Sequence, residues 1–278
     1  MSNSVTSLIE YWQEILNIKC NEDETLVFRG HPNYRYRLSP SVFRETKKDF
    51  ENNAYKEIMV EYPDEFTRDH LSNLAKMQHY GVKTRLLDFS ANPLMSLYFA
   101  SEAGKNDDGQ VIVCKVKKDQ ILHHTSDKAL MLSCLPCFKD EEQRKIRMFC
   151  EKHNNRMNHN ILDETMERFL HEIRRECPAF ECAIIGDDLL KNYFVQTYKD
   201  SERLRIQSGL FVLFGLGSRE MDNDPRVVKR INIAHERKNE ILKELRLINI
   251  SNSTVYPDFE RRAMEIAHRR VDWIDINS

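Results

Sequence analysis

The chain has 278 residues, of which 44 are acidic and 42 basic, and its net charge is −2 at neutral pH. This balance excludes a protein that is held on nucleic acid or on an anionic membrane by bulk charge alone, although it allows a local basic groove. The 41% hydrophobic and 31% charged residues exclude a disordered chain, and the eight Gly and eight Pro predict long helices and fewer strands than average.

The first segment, residues 1–24, is predicted to contain an N-terminal helix. Ser4 or Ser7 can cap it, and helical spacing places four apolar residues on one face: Leu8, Trp12, Ile15 and Leu16. A short apolar strand, Thr25–Arg29, follows and leads into an aromatic and basic loop.

Helix and strand patterns continue to residue 117. The pattern over 49–78 is helical with a break at Pro63, and Asn92 caps a helix that has Pro93 at its first position. Residues 110–117 are alternating and β-branched, which is typical of a strand. We expect this strand and Thr25–Arg29 to share one sheet, with the helix packed against it.

The middle of the chain, residues 118–199, is predicted to be an insertion of two or three helices, with Asp140 and Gln143 as a capping-box pair. Strand character returns at 203–217, and 238–250 has the pattern of an amphipathic helix.

The predicted fold class is α+β, with one mixed sheet as its core. A single domain is expected over 25–260, with the helical insertion inside it, and Pro257 and Asp258 open a last helix that covers 261–278. No apolar run is long enough for a membrane span, the N-terminus lacks a secretory pattern, and the seven cysteines are irregularly spaced. We therefore expect reduced thiols and a cytoplasmic location, with no membrane partner.

Four clusters combine polar and glycine residues in this order: FRG at 28–30, QHYGVKTRLLDFSANPL at 78–94, RIQSGLF at 205–211 and YPD at 256–258. This order resembles the FRG-domain family, from Thr25 to about Glu260, and the long second block is its most specific part. The sequence departs from the family pattern at Val82-Lys83, where a proline usually precedes the threonine, and at Phe89, where tryptophan is common.

Arg29 follows an aromatic residue and precedes Gly30 at the end of a strand. Its planar fork can bind a phosphate, and the glycine would let a ligand approach the backbone. The alternative is a structural ion pair with Asp88. Arg85 and Asp88 lie beside buried leucines and need partners of their own.

Ser90 and Asn92 precede a helix N-terminus, where free amides favour a phosphate, although an ordinary cap gives the same pattern. The arrangement is also similar to the ADP-ribosyltransferase-like fold. That resemblance implies NAD as substrate, with Arg29, Ser90 and Gln207 as successive site elements and Gln207 on a late strand. Gly209 stands where that fold has a glutamate, so Glu202 or Glu260 would have to supply the carboxylate.

His79 and Tyr80 form a second chemical pair, in which the imidazole would act as a base and the phenol ring would stack on a ligand. A partly buried structural histidine beside a turn explains them equally well. A zinc site at Cys134, Cys137, Cys150 and His153 has suitable spacing, but a continuous helix between the two pairs would separate them, so we expect no metal.

The sequence thus predicts a protein that binds NAD or a related nucleotide, and an ADP-ribosyltransferase-like or NAD-cleaving enzyme of the toxin or phage-defence kind. Catalytic roles fall to Arg29, His79 and Gln207, and ligand-binding roles to Phe28, Gly30, Tyr80, Arg85, Asp88, Ser90 and Asn92. One alternative is a non-catalytic module for a nucleotide or phosphorylated ligand. The other is a nucleic-acid-binding domain that uses the HPNYRYRLSP loop at 31–40, which the near-neutral charge disfavours.

Overall fold

A computed structural model describes residues 4–44, 47–155, 157, 159–182, 184–198, 205–257 and 263. Within them, one mixed sheet is formed by seven strands: β1 (Glu24–His31), β2 (Leu86–Ser90), β3 (Gly109–Lys117), β4 (Leu122–His123), β5 (Tyr193–Gln196), β6 (Gly209–Leu213) and β7 (Val227–Ile233). The α+β class with a single mixed sheet is confirmed.

The strand order is β4-β5-β6-β2-β1-β3-β7, and β4–β5 is the parallel pair in an otherwise antiparallel sheet. The expected pairing of the first strand with residues 110–117 is confirmed, because β1 and β3 pair along their whole length and Phe28 lies opposite Val113. The pairing of β1 with β2 is much shorter, with Phe28 opposite Ser90 as its one registered pair. The sheet therefore has a seam between its two halves.

The helices are α1 (Leu8–Leu16), α2 (Phe50–Glu61), α3 (His70–His79), α4 (Pro93–Ser101), α5 (Asp127–Ser133), α6 (Asp140–Lys152), α7 (Glu164–Glu176), α8 (Gly186–Leu190), α9 (Lys238–Leu247) and α10 (Asn252–Val255). The Ser7 cap, the break at Pro63 and the Asn92 cap are confirmed. Each of these features depends on a few neighbouring residues, which is why the local sequence is sufficient to predict it.

Two local predictions were wrong. In α1, Tyr11 and Ile15 are buried, whereas Trp12 is 42% and Leu16 is 67% exposed. The buried face is turned toward α4, where the Tyr11 hydroxyl donates to the carbonyl of Pro93. At the start of α6, the carboxylate of Glu142 accepts from the backbone N–H of Lys139, so Asp140 and Gln143 do not form the cap.

In its described residues the segment 118–199 contains four helices, α5–α8, rather than the predicted two or three, and it also supplies the edge strand β4 and its neighbour β5. The helix α6 runs without a break through 13 residues, about 20 Å, between Cys137 and His153. This length separates the two Cys and His pairs of the zinc pattern, as expected.

Close packing of α4 on β1 and β3 requires two glycines. A Cβ atom on Gly30 would lie 2.0 Å from the carbonyl oxygen of Ser96, and one on Gly109 would lie 2.2 Å from that of Ala100. Gly30 therefore admits the helix backbone, whereas the sequence interpretation had it admitting a ligand.

Two hydrophobic cores form on the face of the sheet that carries Phe28. One packs α1, α4 and α9 on β1 and β3, and the other packs α2, α3 and α5–α7 on β2 and β6. Since Phe28 lies opposite Ser90 and side chains alternate along a strand, Asp88 lies on this same face, in the gap between the cores.

Several sequence predictions fall outside the described residues, namely Glu202, Asp258, Glu260 and the helix expected at 261–278. Every helix in the part of the chain that the structure describes is too short or too polar to cross a bilayer.

Candidate functional site

A cleft of about 230 Å³ opens at the seam, along one face of α4; we call it the Arg29 cleft. Six residues singled out from the sequence line it: Phe28, Arg29, Gly30, Asp88, Ser90 and Gln207. They come from β1, β2 and the turn before β6, which are distant in sequence. The structure thus brings together polar groups from three separate segments.

Arg29 is held by both sides of the seam. Its Nη1 donates to the backbone carbonyl of Asp88 at 2.7 Å, and its Nε donates to Nε2 of His31 at 2.9 Å. Among the described residues, Nη2 has no hydrogen-bond partner, and the side chain is 17% exposed. One arm of the guanidinium is therefore available to a ligand.

The imidazole of His31 is an uncharged acceptor for this contact. Burial, together with the positive charges of Arg29, Arg44 and Arg230, lowers the pKa of His31 to about 2. Because the ring stays neutral, it can accept from Arg29 without repelling it. His31 therefore positions the guanidinium.

Asp88 is a surface carboxylate, although it lies on a central strand. Its side chain is 61% exposed, it lies 3.7 Å from Nη1 of Arg29, and it accepts from Nε2 of Gln78 at 2.7 Å. The predicted pairing with Arg29 is confirmed, but the predicted burial is wrong, because Asp88 lies in the gap between the two cores. Its negative charge therefore lies next to the guanidinium of Arg29, on the side of Nη1.

Ser90 and Asn92 are occupied by the backbone around them. The Ser90 hydroxyl donates to the carbonyl of Gln207 at 2.5 Å and accepts from the N–H of Asn92 at 2.9 Å. Asn92 accepts from the N–H of Leu94 at 2.9 Å, as a helix cap does. A hydroxyl has one proton to donate, so Ser90 shapes the floor of the Arg29 cleft.

Gln207 lies in the turn before β6, so its expected position on a strand is wrong. Its Nε2 donates to the carbonyl of Val255 at 3.0 Å. Among the described residues, its Oε1 makes no hydrogen bond, and this acceptor lines the Arg29 cleft.

Six cleft residues were given no site role by the sequence analysis: Ser96, Phe99, Glu102, Pro32, Phe89 and Tyr256. The first three are spaced by three residues along and just after α4, so they share the helix face that meets Gly30. The Tyr256 hydroxyl donates to the Glu102 carboxylate at 2.8 and 3.0 Å, and the Phe99 and Tyr256 rings are 6.1 Å apart. The Ser96 hydroxyl is buried and, within the described residues, has no hydrogen-bond partner.

Arg85 does not line the cleft, and its guanidinium is completely buried beside α2 and α6. It forms an ion pair with the buried carboxylate of Glu51 and donates to Oε1 of Gln143 at 2.9 Å and to the carbonyl of Phe214 at 3.3 Å. These contacts link β2 to α2 and α6, which identifies Arg85 as a structural residue.

His79 and Tyr80 lie at the C-terminal end of α3, with their rings 5.0 Å apart in a T-shaped arrangement. Tyr80 is 66% exposed and lines a different, apolar pocket with Phe66 and Val82. Neither residue lines the Arg29 cleft, and Asn92 does not line it either.

A basic groove of about 900 Å³ lies near the Arg29 cleft, and Arg44 lines it. The positive charge of Arg44 adds to the effect of burial in lowering the pKa of Arg29 and the pKa of His31. The cationic residues of the groove come from the HPNYRYRLSP loop and three other segments: Arg35, Arg37, Arg44, Lys83 and Arg219. Arg37 pairs with Glu220 at 2.9 Å, and Arg219 lies over the ring of Phe43. The groove therefore combines cations with aromatic rings.

The comparisons with known proteins give one match. A model of the FRG domain matches residues 24–109, and no curated protein and no solved structure matches the chain. The matched range includes β1, β2 and α4, and with them every cleft residue named above except Gln207 and Tyr256. The chain therefore contains an FRG domain, and the Arg29 cleft is built mainly from it.

Proposed function

We propose that the Arg29 cleft binds a nucleotide, with NAD as the favoured ligand. The observation that carries the proposal is that Arg29 and Ser96 line the same cleft and that, among the described residues, Nη2 of Arg29 and the buried hydroxyl of Ser96 have no hydrogen-bond partner. A guanidinium arm and a hydroxyl donor suit the oxygens of a phosphate. Buried donors without partners are rare in proteins, so a bound anion would explain both.

Other residues that line the cleft suit the sugar and the ring of the same ligand. Phe99 and Tyr256 present aromatic surface for a base or a nicotinamide. Ribose hydroxyls can donate to the Glu102 carboxylate and to Oε1 of Gln207. With about 230 Å³, the cleft is smaller than the roughly 300–1,000 Å³ of ordinary ligand sites. It would hold one mononucleotide half of NAD, and the other half would lie outside it.

Cleavage of NAD would break the bond between ribose C1′ and the nicotinamide nitrogen. The electron pair of that bond leaves with nicotinamide and neutralises its ring charge. The Glu102 carboxylate would stabilise the positive charge that develops on the ribose. Water or another acceptor then bonds to C1′ and passes its proton to Glu102. The amide of Gln207 cannot act as a base, so in this scheme the carboxylate of Glu102 accepts the proton.

Calorimetric titration with NAD, ADP-ribose and nicotinamide mononucleotide tests the proposal. Arg29→Lys should lose most of the affinity, because an ammonium cannot reproduce the guanidinium fork. Arg37→Lys is the matched control, since Arg37 lies outside the cleft. No binding of any of the three by the wild type, or equal affinity in wild type and Arg29→Lys, would contradict the proposal.

Chromatography of the reaction mixture then separates an enzyme from a binding module. Glu102→Gln should abolish nicotinamide release and keep NAD binding within a few-fold of wild type. Binding without nicotinamide release from the wild type would leave the non-catalytic module as the function.

A second candidate function is binding of single-stranded nucleic acid, and the basic groove is the observation that favours it. Cations and aromatic rings in one groove suit phosphates and unstacked bases. In a fluorescence-anisotropy titration, Arg44→Ala should bind a labelled oligonucleotide more weakly than the wild type does. Its affinity should also depend less steeply on the salt concentration. An affinity that Arg44→Ala leaves unchanged would exclude the groove as the binding surface.

A further inference from the structure

Five side chains that commonly bind metals meet at a place remote from the Arg29 cleft. His70 is the first residue of α3, and Cys134 and Cys137 flank the turn after α5. Glu172 and Glu176 are one turn apart on α7. We call these five residues the His70 cluster. It joins α3, which lies within the FRG match, to helices of the 118–199 segment.

The distances within the His70 cluster are close to those between ligands of one metal ion. The ligand atoms of His70, Cys134 and Glu176 all lie within 4.8 Å of one another, and so do those of His70, Cys137 and Glu172. Cys137 Sγ is 3.8 Å from Nδ1 of His70, and Nε2 of His70 is 3.8 Å from Oε2 of Glu176. Neighbouring ligands of a tetrahedral zinc are about 3.3–3.8 Å apart for bonds of about 2.0–2.3 Å. Each of the two groups of three therefore approaches the spacing of ligands around one ion, and the two groups share His70.

Charged groups of both signs surround the His70 cluster. Asp69 adds negative charge to that of the two glutamates, and the nearby cations are Lys56 and Arg175. A divalent cation would hold two thiolates and a carboxylate together, because it is the largest local charge in such a site.

The imidazole of His70 has the surroundings of a metal ligand. Its Nδ1 lies 2.6 Å from the hydroxyl of Tyr55, which also accepts from Nδ2 of Asn73 at 3.2 Å. The other nitrogen, Nε2, faces the carboxylates of Glu176 and Glu172 at 3.8 and 4.0 Å. Metal-ligating histidines usually hydrogen-bond through their second nitrogen in this manner, which fixes the ring.

We propose that the His70 cluster is a structural zinc site, with Cys134, Cys137, His70 and one of the two glutamates as its four ligands. Two thiolates and an imidazole favour Zn²⁺ over the oxygen-seeking cations Mg²⁺ and Ca²⁺. Glu172 and Glu176 are both placed to supply the fourth ligand, since each carboxylate faces Nε2 of His70. Four protein ligands leave no position for water, which is typical of a structural site. The ion would fasten α3 to α5 and α7.

Cobalt substitution in the full chain tests the ligand set. The chelator-stripped protein should bind one Co²⁺ and show the intense near-ultraviolet charge-transfer band of cobalt thiolates, which Zn²⁺ then removes. This measurement needs no variant, so it is independent of folding defects. No stoichiometric Co²⁺ binding, or a bound Co²⁺ without the charge-transfer band, would overturn the proposal.

Competition with a chromophoric chelator measures the zinc affinity of variants. Cys137→Ser should bind Zn²⁺ at least about 100-fold more weakly, and Tyr55→Phe about 10–100-fold more weakly, through loss of the contact to His70. Cys150→Ser is the matched control, because Cys150 is a buried free thiol outside the His70 cluster. Equal zinc affinities of the wild type and Cys137→Ser would also overturn the proposal.

Discussion

The Tyr256 hydroxyl donates to both carboxylate oxygens of Glu102, at 2.8 and 3.0 Å, and so fixes an acid at the mouth of the Arg29 cleft. The two residues are 154 positions apart. Their contact brings the C-terminal part of the chain to the helix that forms one wall of the cleft. It places a negative group across from the guanidinium of Arg29.

Replacing Tyr256 by Phe removes this hydrogen bond and keeps the aromatic ring. A hydrogen bond to a charged group contributes about 1.5–3 kcal/mol, so we expect nicotinamide release to slow by about tenfold or more. NAD affinity should change much less. Tyr62→Phe, at an exposed site outside the cleft, is the control for the assay. An unchanged release rate in Tyr256→Phe would remove Glu102 from the proposed reaction.

The buried ion pair between Arg85 and Glu51 should matter for stability rather than for ligand binding. Its side chains are 0% and 8% exposed, and removing one partner of such a pair costs about 3–5 kcal/mol. We expect Arg85→Met to lower the free energy of urea unfolding by that amount. Arg168→Met breaks the exposed pair with Glu142 and should cost less than about 1 kcal/mol. Similar losses for the two variants would contradict this assignment.

The exposed carboxylate of Asp88 leads to the opposite expectation. Asp88→Ala should change the free energy of unfolding by less than about 1 kcal/mol, because exposed ion pairs contribute little. It should raise the affinity of the cleft for an anionic ligand, since a negative charge next to Arg29 is lost. Titration with ADP-ribose measures this effect. A weaker affinity in Asp88→Ala would instead make the carboxylate a ligand contact.

Stability should fall in mild acid because of His31. Its pKa is about 2 in the folded protein and about 6.5 in an unfolded chain. Between these values the unfolded chain binds the additional proton, so the unfolding free energy decreases as the pH falls below about 6.5.

At pH 5 this loss amounts to about 2 kcal/mol. His31→Gln retains an acceptor for Arg29. Between pH 7 and pH 5, its free energy of urea unfolding should therefore decrease by about 2 kcal/mol less than that of the wild type. His235→Gln removes an exposed histidine and serves as the control. If the wild type and His31→Gln respond equally to pH, another group governs the acid response.

The sequence was most informative where a few adjacent residues determine the structure. Ser7, Asn92 and Pro93 act on their own helix ends, and the alternating residues of β3 define a strand without reference to the rest of the chain. Asp88 shows the limit of this reasoning. Whether it is buried depends on a gap between two cores, and no residue near Asp88 in the sequence encodes that gap.

The cleft and the His70 cluster show the same limit in two forms. The resemblance to the ADP-ribosyltransferase-like fold picked out Arg29, Ser90 and Gln207, but not Glu102, whose proposed role depends on α4 approaching β1. Cys134 and Cys137 were recognised as a pair, yet sequence spacing joined them to Cys150 and His153. Their actual neighbour His70 precedes Cys137 by 67 positions, and no spacing rule reaches that far.

The short pairing of β1 with β2 has a mechanical consequence. Because β1 and β2 share one registered pair, few backbone hydrogen bonds join the two halves of the sheet. The hydrogen bond from Arg29 to the carbonyl of Asp88 is an additional link between these two strands. A ligand that contacted both Arg29, on one half of the sheet, and Gln207, next to the other half, would hold the two halves together. Its arrival would stiffen the molecule along this line and slow amide exchange on both flanking strands, far beyond the atoms that it touches.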